Sequence, residues 1–437
     1  MSVAGLAGLG MGAAEAGERM WKLMAELYPV CRSITGEGFR STLDTLAAHV
    51  DLDVHEVPSG TQAFDWTVPR EWNVTDAYVE GPAGERVIDF RASNLHVMSY
   101  SVPVDARMPL SELRAHLHTL PEHPDWIPYR TSYYADNWGF CLSQRQLDAL
   151  PEGEYHVVVD SSLTEGALTY GECLVPGATD DEVLVSCHAC HPSLCNDNLS
   201  GVVLATFLAK ALAGASLRHS YRFLFIPGTI GSIVWLSRNE SRVDRVKAGL
   251  VLACVGDPGR LTYKRSRRGD AEVDRAVAHV LATRGGPYEI TDFSPYGYDE
   301  RQFCSPGFDL PVGCLNRTPH GQFAEYHTSA DDLDFVRPEH LADSYAACLE
   351  VVRVLEEDGT FVNRNPKCEP QLGKRGLYGA IGGRSDTVQL QLAMLWVLNF
   401  SDGGHSLLDI AERSGLPFGL LSDAARALAA AGLLAGR

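Results

Sequence analysis

No run of about 18 consecutive apolar residues occurs in the chain, so no segment reads as a helix able to cross a membrane. A basic stripe is missing as well. The 437 residues carry a formal net charge of −19, which repels nucleic-acid backbones and anionic lipid surfaces alike. The single dense basic run, Lys264-Arg265-Ser266-Arg267-Arg268, is followed by Asp270, Glu272 and Asp274 and reads as a solvated or substrate-facing loop. Neither nucleic acid nor membrane is an expected partner. Regular cysteine spacing is absent too. The 11 cysteines are an odd, scattered set, which argues against a disulfide scaffold and for a reducing, cytoplasmic setting. Residues 1–17 are small and apolar but have no positive segment before them, so a secretory signal is not expected.

What is present is the composition of a packed globular protein, with 45% hydrophobic and 21% charged residues. The length calls for two or three domains. Apolar residues at helical spacing (Met20, Leu23, Met24, Leu27, then Phe39, Leu43, Leu46) open the chain as a helical pair, followed by a short strand at 54–57. Between about 60 and 170 the texture becomes aromatic and β-branched with frequent Pro, Gly, Asn and Asp; this reads as a β-rich insert with one short helix at 110–117. From Glu182 onward, apolar strands (183–187, 221–226, 249–254) alternate with helical stretches (201–213, 230–239, 271–284), and a long helix covers 338–357. This is the pattern of an α/β fold, a mainly parallel or mixed sheet sandwiched by helices, whose ligands bind at the carboxyl ends of the strands.

After a polar link at 363–373, three short helices near 387–398, 406–413 and 421–434 fit a small winged-helix module, with Ser406 and Ser422 as candidate N-caps and Gly415 in the turn. Its Arg413, Arg426 and Arg437 are offset by Asp409, Glu412 and Asp423, so protein contact or homo-oligomer packing is expected there rather than DNA binding. The expected divisions are 1–60 (helical part of the core), 61–170 (insert), 171–362 (core) and 374–437 (winged helix).

The densest chemical signal lies at 186–201. A strand delivers His188, a polar loop follows, and Asp197 stands at the start of the next helix. Asp257 follows a later strand, and His327 lies in a loop ahead of the last long helix, so all four side chains belong to the ligand-binding edge of the sheet. Imidazole nitrogen combined with carboxylate oxygen is a donor set for zinc. Cys187-His188-Ala189-Cys190-His191 also contains the spacing of a zinc knuckle, but no second paired set completes one, and His191 reads as shaping the metal loop.

These residues resemble a known pattern. His188, then Asn196-Asp197-Asn198-Leu199-Ser200-Gly201, then Asp257, then His327-Thr328-Ser329-Ala330-Asp331 are similar to the co-catalytic zinc aminopeptidases, whose relatives include glutaminyl cyclases and glutamate carboxypeptidases. Over nearly its whole length the chain resembles bacterial aminopeptidase-like proteins that carry a β-domain insert and a C-terminal winged helix. That likeness rests on Ile226-Pro227-Gly228-Thr229-Ile230-Gly231-Ser232, on Tyr298-Asp299-Glu300-Arg301-Gln302-Phe303, and on the helix of Leu395 and Trp396 that ends in Asn399-Phe400-Ser401-Asp402.

The resemblance implies zinc as cofactor. His188 and Asp257 would hold one ion, His327 a second, and Asp197 would bridge them. In those peptidases the strand corresponding to 223–226 ends in adjacent glutamates, a metal ligand and a general base; here Gly228 and Thr229 stand there instead. With one complete ligand set, about one zinc per chain is expected. The base must come from elsewhere, and Glu300, Glu325 and His191 are the candidates. Tyr298 and Arg301 are candidate substrate-binding residues, a phenol and a guanidinium being suited to a carboxylate or an oxyanion. The expected function is a zinc-dependent aminopeptidase-like hydrolase acting on a small peptide or on an aminoacyl or N-acyl compound. The alternatives are a catalytically silent metal- or ligand-binding protein and a small-molecule-sensing regulator.

Overall fold

The computed structural model describes residues 11–377 and 385–437, so most of the N-terminal stretch weighed as a signal lies outside the described residues. Helix α1 (Ala13–Leu27) buries Met20, Leu23, Met24 and Leu27 on one face, as the spacing requires, and α2 (Glu37–Ala47) buries Phe39, Leu43 and Leu46. A side chain at Gly17 would collide with the Pro338 carbonyl, so glycine is what lets α1 lie this close to the last long helix of the core.

The core is an eight-stranded sheet. Its strands are β1 (Asp53–Pro58), β2 (Ala167–Val175), β3 (Glu182–His188), β4 (Ser220–Ile226), β5 (Val246–Leu252), β6 (Leu261–Lys264), β7 (Tyr288–Thr291) and β8 (Val312–Asn316). They lie in the order β1-β2-β4-β3-β5-β8-β6-β7. The central strands β4, β3, β5 and β8 are mutually parallel, whereas β1, β2 and β6 enter antiparallel to their inner neighbours. Strands β3 and β4 are buried along their whole length, which explains their continuous apolar runs. A buried ion pair interrupts them. Arg222 of β4 is buried and forms ion pairs with Glu182, at 2.6 Å, and with Glu172, whose other oxygen accepts a bond from the Trp235 indole. Four more helices complete the core: α3 (Ser200–Leu212), α4 (Ile230–Asn239), α5 (Glu272–Arg284) and α6 (Pro338–Glu357). Helices α1, α3 and α5 pack against α6, while α4 packs on the turn Glu300–Phe303.

The insert leaves the sheet after β1 and returns at β2, two adjacent antiparallel strands, and its ends close where the Ser59 amide donates to the Gly166 carbonyl. Its own four-stranded antiparallel sheet consists of Arg86–Asp89, Glu71–Glu80, Glu154–Thr164 and Val104–Pro109. The last insert strand and β2 are separated only by Glu165 and Gly166, so the texture that marked the insert runs on into a core strand, and the expected boundary at 170 falls inside β2. The expected helix at 110–117 is one turn, Leu110–Leu113, followed by a tighter turn, Arg114–His116.

The C-terminal module is a winged helix with helices Ser385–Phe400, Leu407–Ser414 and Phe418–Ala430 and a three-stranded antiparallel sheet. One strand of that sheet, Thr360–Asn363, precedes the expected start of the module at 374. Ser406 caps its helix as expected, in a capping box with Asp409. Ser422 does not. The helix starts earlier, after Pro417, and the Ser422 hydroxyl donates instead to Glu357. The module's acidic residues are taken up by the core: Asp409 and Glu412 by Arg275, each at 2.6 Å, and Asp423 by Arg353 at 2.5 Å. Among the described residues no helix is long and apolar enough to cross a membrane, and all 11 cysteines are free.

Glu71 ties three units together. It accepts from Arg40 of α2 at 2.6 Å and from the Ala167 amide at the start of β2, while itself opening the insert sheet. The Arg40 guanidinium holds its carboxyl below the usual range, at about 2, against the opposing effect of burial. A depressed carboxyl adds stability above its unfolded pKa and loses it as pH falls through the folded one. Glu71→Gln is therefore expected to cost up to about 3 kcal/mol near pH 7. The deficit should shrink as pH is lowered from about 4.5 toward 2. Urea unfolding across that range checks this, and a deficit independent of pH would contradict it.

Candidate metal centre

Every candidate side chain of the centre leaves the sheet at the carboxyl ends of the parallel strands. His188 is the last residue of β3, and the loop that follows carries His191 and then Asp197 before α3 begins. Asp197 is fully buried, and its carboxylate accepts from His188 Nε2 at 2.9 Å through one oxygen and from His327 Nε2 at 3.0 Å through the other. His191 Nδ1 lies 3.9 Å from the second oxygen. Possible ligand atoms of His188, His191 and Asp197 lie within 4.8 Å of one another.

The polar loop has been built to hold this carboxylate. Asp331 accepts from the backbone amides of Asn196, at 2.5 Å, and Asp197, at 2.9 Å. The Asn198 amide group donates to the carbonyls of His188 and Leu252 and accepts from the Cys254 amide, which pins the ends of β3 and β5 together. The peptide bond between Asp197 and Asn198 is cis. Thr229, Cys254 and His327, with φ of +63°, +51° and +56°, are non-glycine residues in the left-handed region, a concentration of strained backbone that accompanies functional sites.

The electrostatics suit a cation. Burial pushes the Asp197 carboxyl up, but the imidazoles of His188 and His327, bonded to its two oxygens, outweigh it and hold the group well below the usual range. Burial pushes His191 down to about 3, so its ring is neutral, the form that binds metal. Its Nδ1 is buried without a hydrogen-bond partner. Three imidazoles around an ionised carboxylate, one of them with an orphaned nitrogen, fit zinc.

Asp257, expected as a ligand, is not brought to this cluster. Its Oδ1 accepts from the Gly259 amide at 2.7 Å and the Thr318 hydroxyl at 2.6 Å, and its Oδ2 from Asn196 at 3.0 Å and the Thr318 amide at 3.1 Å. Strand β5 ends at Leu252, and the intervening residues carry Asp257 past the rim into that loop. His191, read as shaping the loop, occupies the vicinity instead.

A cavity of about 450 Å³ lies over the cluster, lined by all three histidines and, as expected, by Tyr298 and Arg301. The Tyr298 ring stacks on His188 with centroids 5.1 Å apart, and Arg301 reaches the Thr229 hydroxyl at 3.4 Å with its Nε buried and unpaired. Of the three expected bases, His191 lines this cavity, whereas Glu300 and Glu325 do not. Glu300 turns away to an ion pair with Lys264, and Glu325 contributes a backbone carbonyl to the turn that carries Thr328. The carboxylate that does line it is Asp299, which sequence reasoning passed over. Its Oδ1 accepts from the Thr229 amide at 2.7 Å and the Ser232 hydroxyl at 2.8 Å, beside Gly228. A Cβ on Gly228 would sit 3.6 Å from His188 Cβ, an ordinary contact, so the backbone does not demand glycine there. The insert closes the other side. Tyr129 sets its ring edge-on to His191 and His327, both at 5.2 Å, and its amide donates to the His327 carbonyl at 2.8 Å.

An aminopeptidase-like α/β core with an imidazole-carboxylate cluster at its strand ends, followed by a winged helix, is the class that fold and site define. Residues 21–358 match the family model described as a domain of unknown function, DUF4910, and residues 359–436 match a winged helix-turn-helix model. The chain belongs to the DUF4910 family. It is 56% identical, over 414 residues and 95% of both chains, to a protein of Clostridium acetobutylicum provisionally named a polysaccharide biosynthesis protein with an aminopeptidase-like domain. A crystal structure of a provisionally named peptidase from the same organism has 53% identity and a TM-score of 0.93 over 97% of both chains. The zinc aminopeptidase of Bacillus subtilis, at 14% identity, shares the fold with a TM-score of 0.59 over 80% of this chain and 96% of its own.

His191→Ala is expected to weaken zinc retention more than about tenfold, as strongly as His188→Ala, whereas Asp257→Asn keeps the metal. Metal analysis after dialysis against a weak chelator checks this. Zinc lost from Asp257→Asn but kept by His191→Ala would reverse the assignment.

Proposed function

We propose that the protein is a zinc-dependent hydrolase that cleaves an amide bond in a small peptide or in an aminoacyl or N-acyl compound. The observation that carries this reading is the meeting of His188, His191 and His327 around the buried Asp197 carboxylate on the floor of a cavity. These four residues would hold zinc, which when bound supplies Lewis-acid activation of water and of the amide carbonyl.

The chain's own groups supply the remainder. Asp299 has one oxygen fixed by Thr229 and Ser232, and the other takes no hydrogen bond among the described residues, so the second is the atom that receives a proton. Burial raises the pKa of this carboxyl, which improves it as an acceptor relative to an ordinary aspartate. Arg301, with its unpaired Nε, orients a substrate carbonyl or carboxylate. The aromatic side chains of the insert restrict water around the reacting bond. The Clostridium relative's name joins an aminopeptidase-like domain to polysaccharide biosynthesis, which supports an amide on a sugar-containing molecule among the possible substrates. The free cysteines support a cytoplasmic setting.

A second reading, binding without turnover, draws its support from Gly228. The two separate experimentally. Purified protein is expected to hold about one zinc per chain. It is also expected to hydrolyse at least one member of a panel of aminoacyl-nitroanilides, dipeptides and N-acetyl compounds. Asp299→Asn should lower kcat by about 10²–10⁴ with zinc content unchanged. Stoichiometric zinc with no turnover on any member would favour the binding reading, and absence of zinc would remove both.

A further inference from the structure

A second cavity, of about 360 Å³, lies against the first, and the two share Tyr296, Gly297, Tyr298 and His320 as a common wall. The ion pair of Lys264 and Glu300 lines it. Glu300 is fully buried; its Oε1 meets the Lys264 ammonium, and its Oε2 has no hydrogen-bond partner. Lys264 also donates to the Tyr296 carbonyl at 2.9 Å and the Ser294 carbonyl at 3.3 Å. A side chain at Gly297 would meet the tips of both members of the pair, so the shared wall crosses directly over it. Thr262, Thr291, Ser294, Asn316 and Gln322 add uncharged polar groups to the lining. Leaving a buried carboxylate oxygen without a donor is costly, and a ligand that fills it removes the cost.

We infer that this second cavity is a subsite for a neutral, polyhydroxylated group, a sugar ring, on the molecule whose amide bond lies in the first. The matched ammonium and carboxylate cancel, and Asp292, the other charged residue of the lining, faces Arg265 at 4.0 Å, so no net charge draws a phosphate or an amine. The pair presents a donor and an acceptor side by side, the complement of neighbouring hydroxyl groups. The mouth agrees with this. Trp66, Tyr134 and Tyr296, which line the first cavity, are 41%, 51% and 73% exposed, flat faces on which the C–H side of a sugar stacks while its hydroxyls stay wet. An aliphatic peptide side chain would call for an enclosed apolar pocket, yet the aliphatic residues lining the first cavity are Ile34 and Ile230 alone among the described residues.

The inference rests on the hydrolase reading only for the amide next door; the sugar subsite itself requires no metal. The test is calorimetric titration of the full chain, zinc-loaded and zinc-free, with N-acetylglucosamine, and in parallel with Gly-Gly and inorganic phosphate. N-acetylglucosamine is expected to bind saturably in both forms. Glu300→Gln and the surface substitution Tyr296→Ala should each weaken that binding by at least about tenfold, Tyr296→Ala at unchanged Tm. No saturable sugar binding, equal affinity in Tyr296→Ala, or phosphate or Gly-Gly binding that depends on Glu300 would each overturn the inference. Sugar binding that persists in a protein unable to hold zinc would sink the hydrolase reading alone. Zinc and peptide turnover without sugar binding would sink the subsite alone.

Discussion

The structure turns on a single buried carboxylate. Asp197 is ionised in a place from which water has been removed, and that state is tolerable only because imidazoles approach both its oxygens and backbone amides around it are themselves held by Asp331. Asn196 and Asn198 bind the same loop to β5 and to the Asp257 turn. The polar run between His188 and α3 is thus a clamp, and its cost is met by the wholly buried strands on which it stands.

Parallel strands explain why the clamp can be assembled from distant segments. Strands β3, β4, β5 and β8 run the same way, so their carboxyl ends lie along one edge and each following loop begins there. His188 ends β3, Thr229 follows β4, Cys254 follows β5 and His327 follows β8. The insert then makes an open edge into a cavity. Tyr129, Tyr133 and Trp66 come from the insert, whose sheets share no strand with the core, yet backbone bonds between Ile127 and Ser329 and between Tyr129 and His327 fasten it to the loop that carries a central histidine. The carboxylate absent at Gly228 has a neighbour in Asp299, bonded to the next residue's amide from a different segment of the chain.

Much of this was legible beforehand, and the exceptions have physical causes. The fold class followed from apolar runs long enough to be buried strands, and the winged helix from three short helical stretches with a turn glycine. The strand Thr360–Asn363 escaped notice because it is brief and half-exposed, and its partners, at 402–406 and 434–436, lie far along the chain. The distinction between Asp299 and Glu300 was equally hidden. Consecutive residues at a helical turn point about 100° apart. Which of two adjacent carboxylates faces the cavity therefore depends on how the turn docks on α4. His191 and Asp257 present the same difficulty in loops, where no periodicity tells which way a side chain is directed.

The sequence by itself determined the layer architecture and the strand-end edge along which His188, Asp197 and His327 are placed, because those properties follow from local pattern and from the polarity of parallel strands. Only the tertiary structure decided that His191 joins them, that Asp257 serves a turn, that Asp299 rather than Glu300 meets the cavity, and that Glu300 and Lys264 line a second one. The reason is that local pattern sets where a residue lies along the chain, whereas its orientation within a loop is set by the hydrogen bonds and packing that distant segments supply.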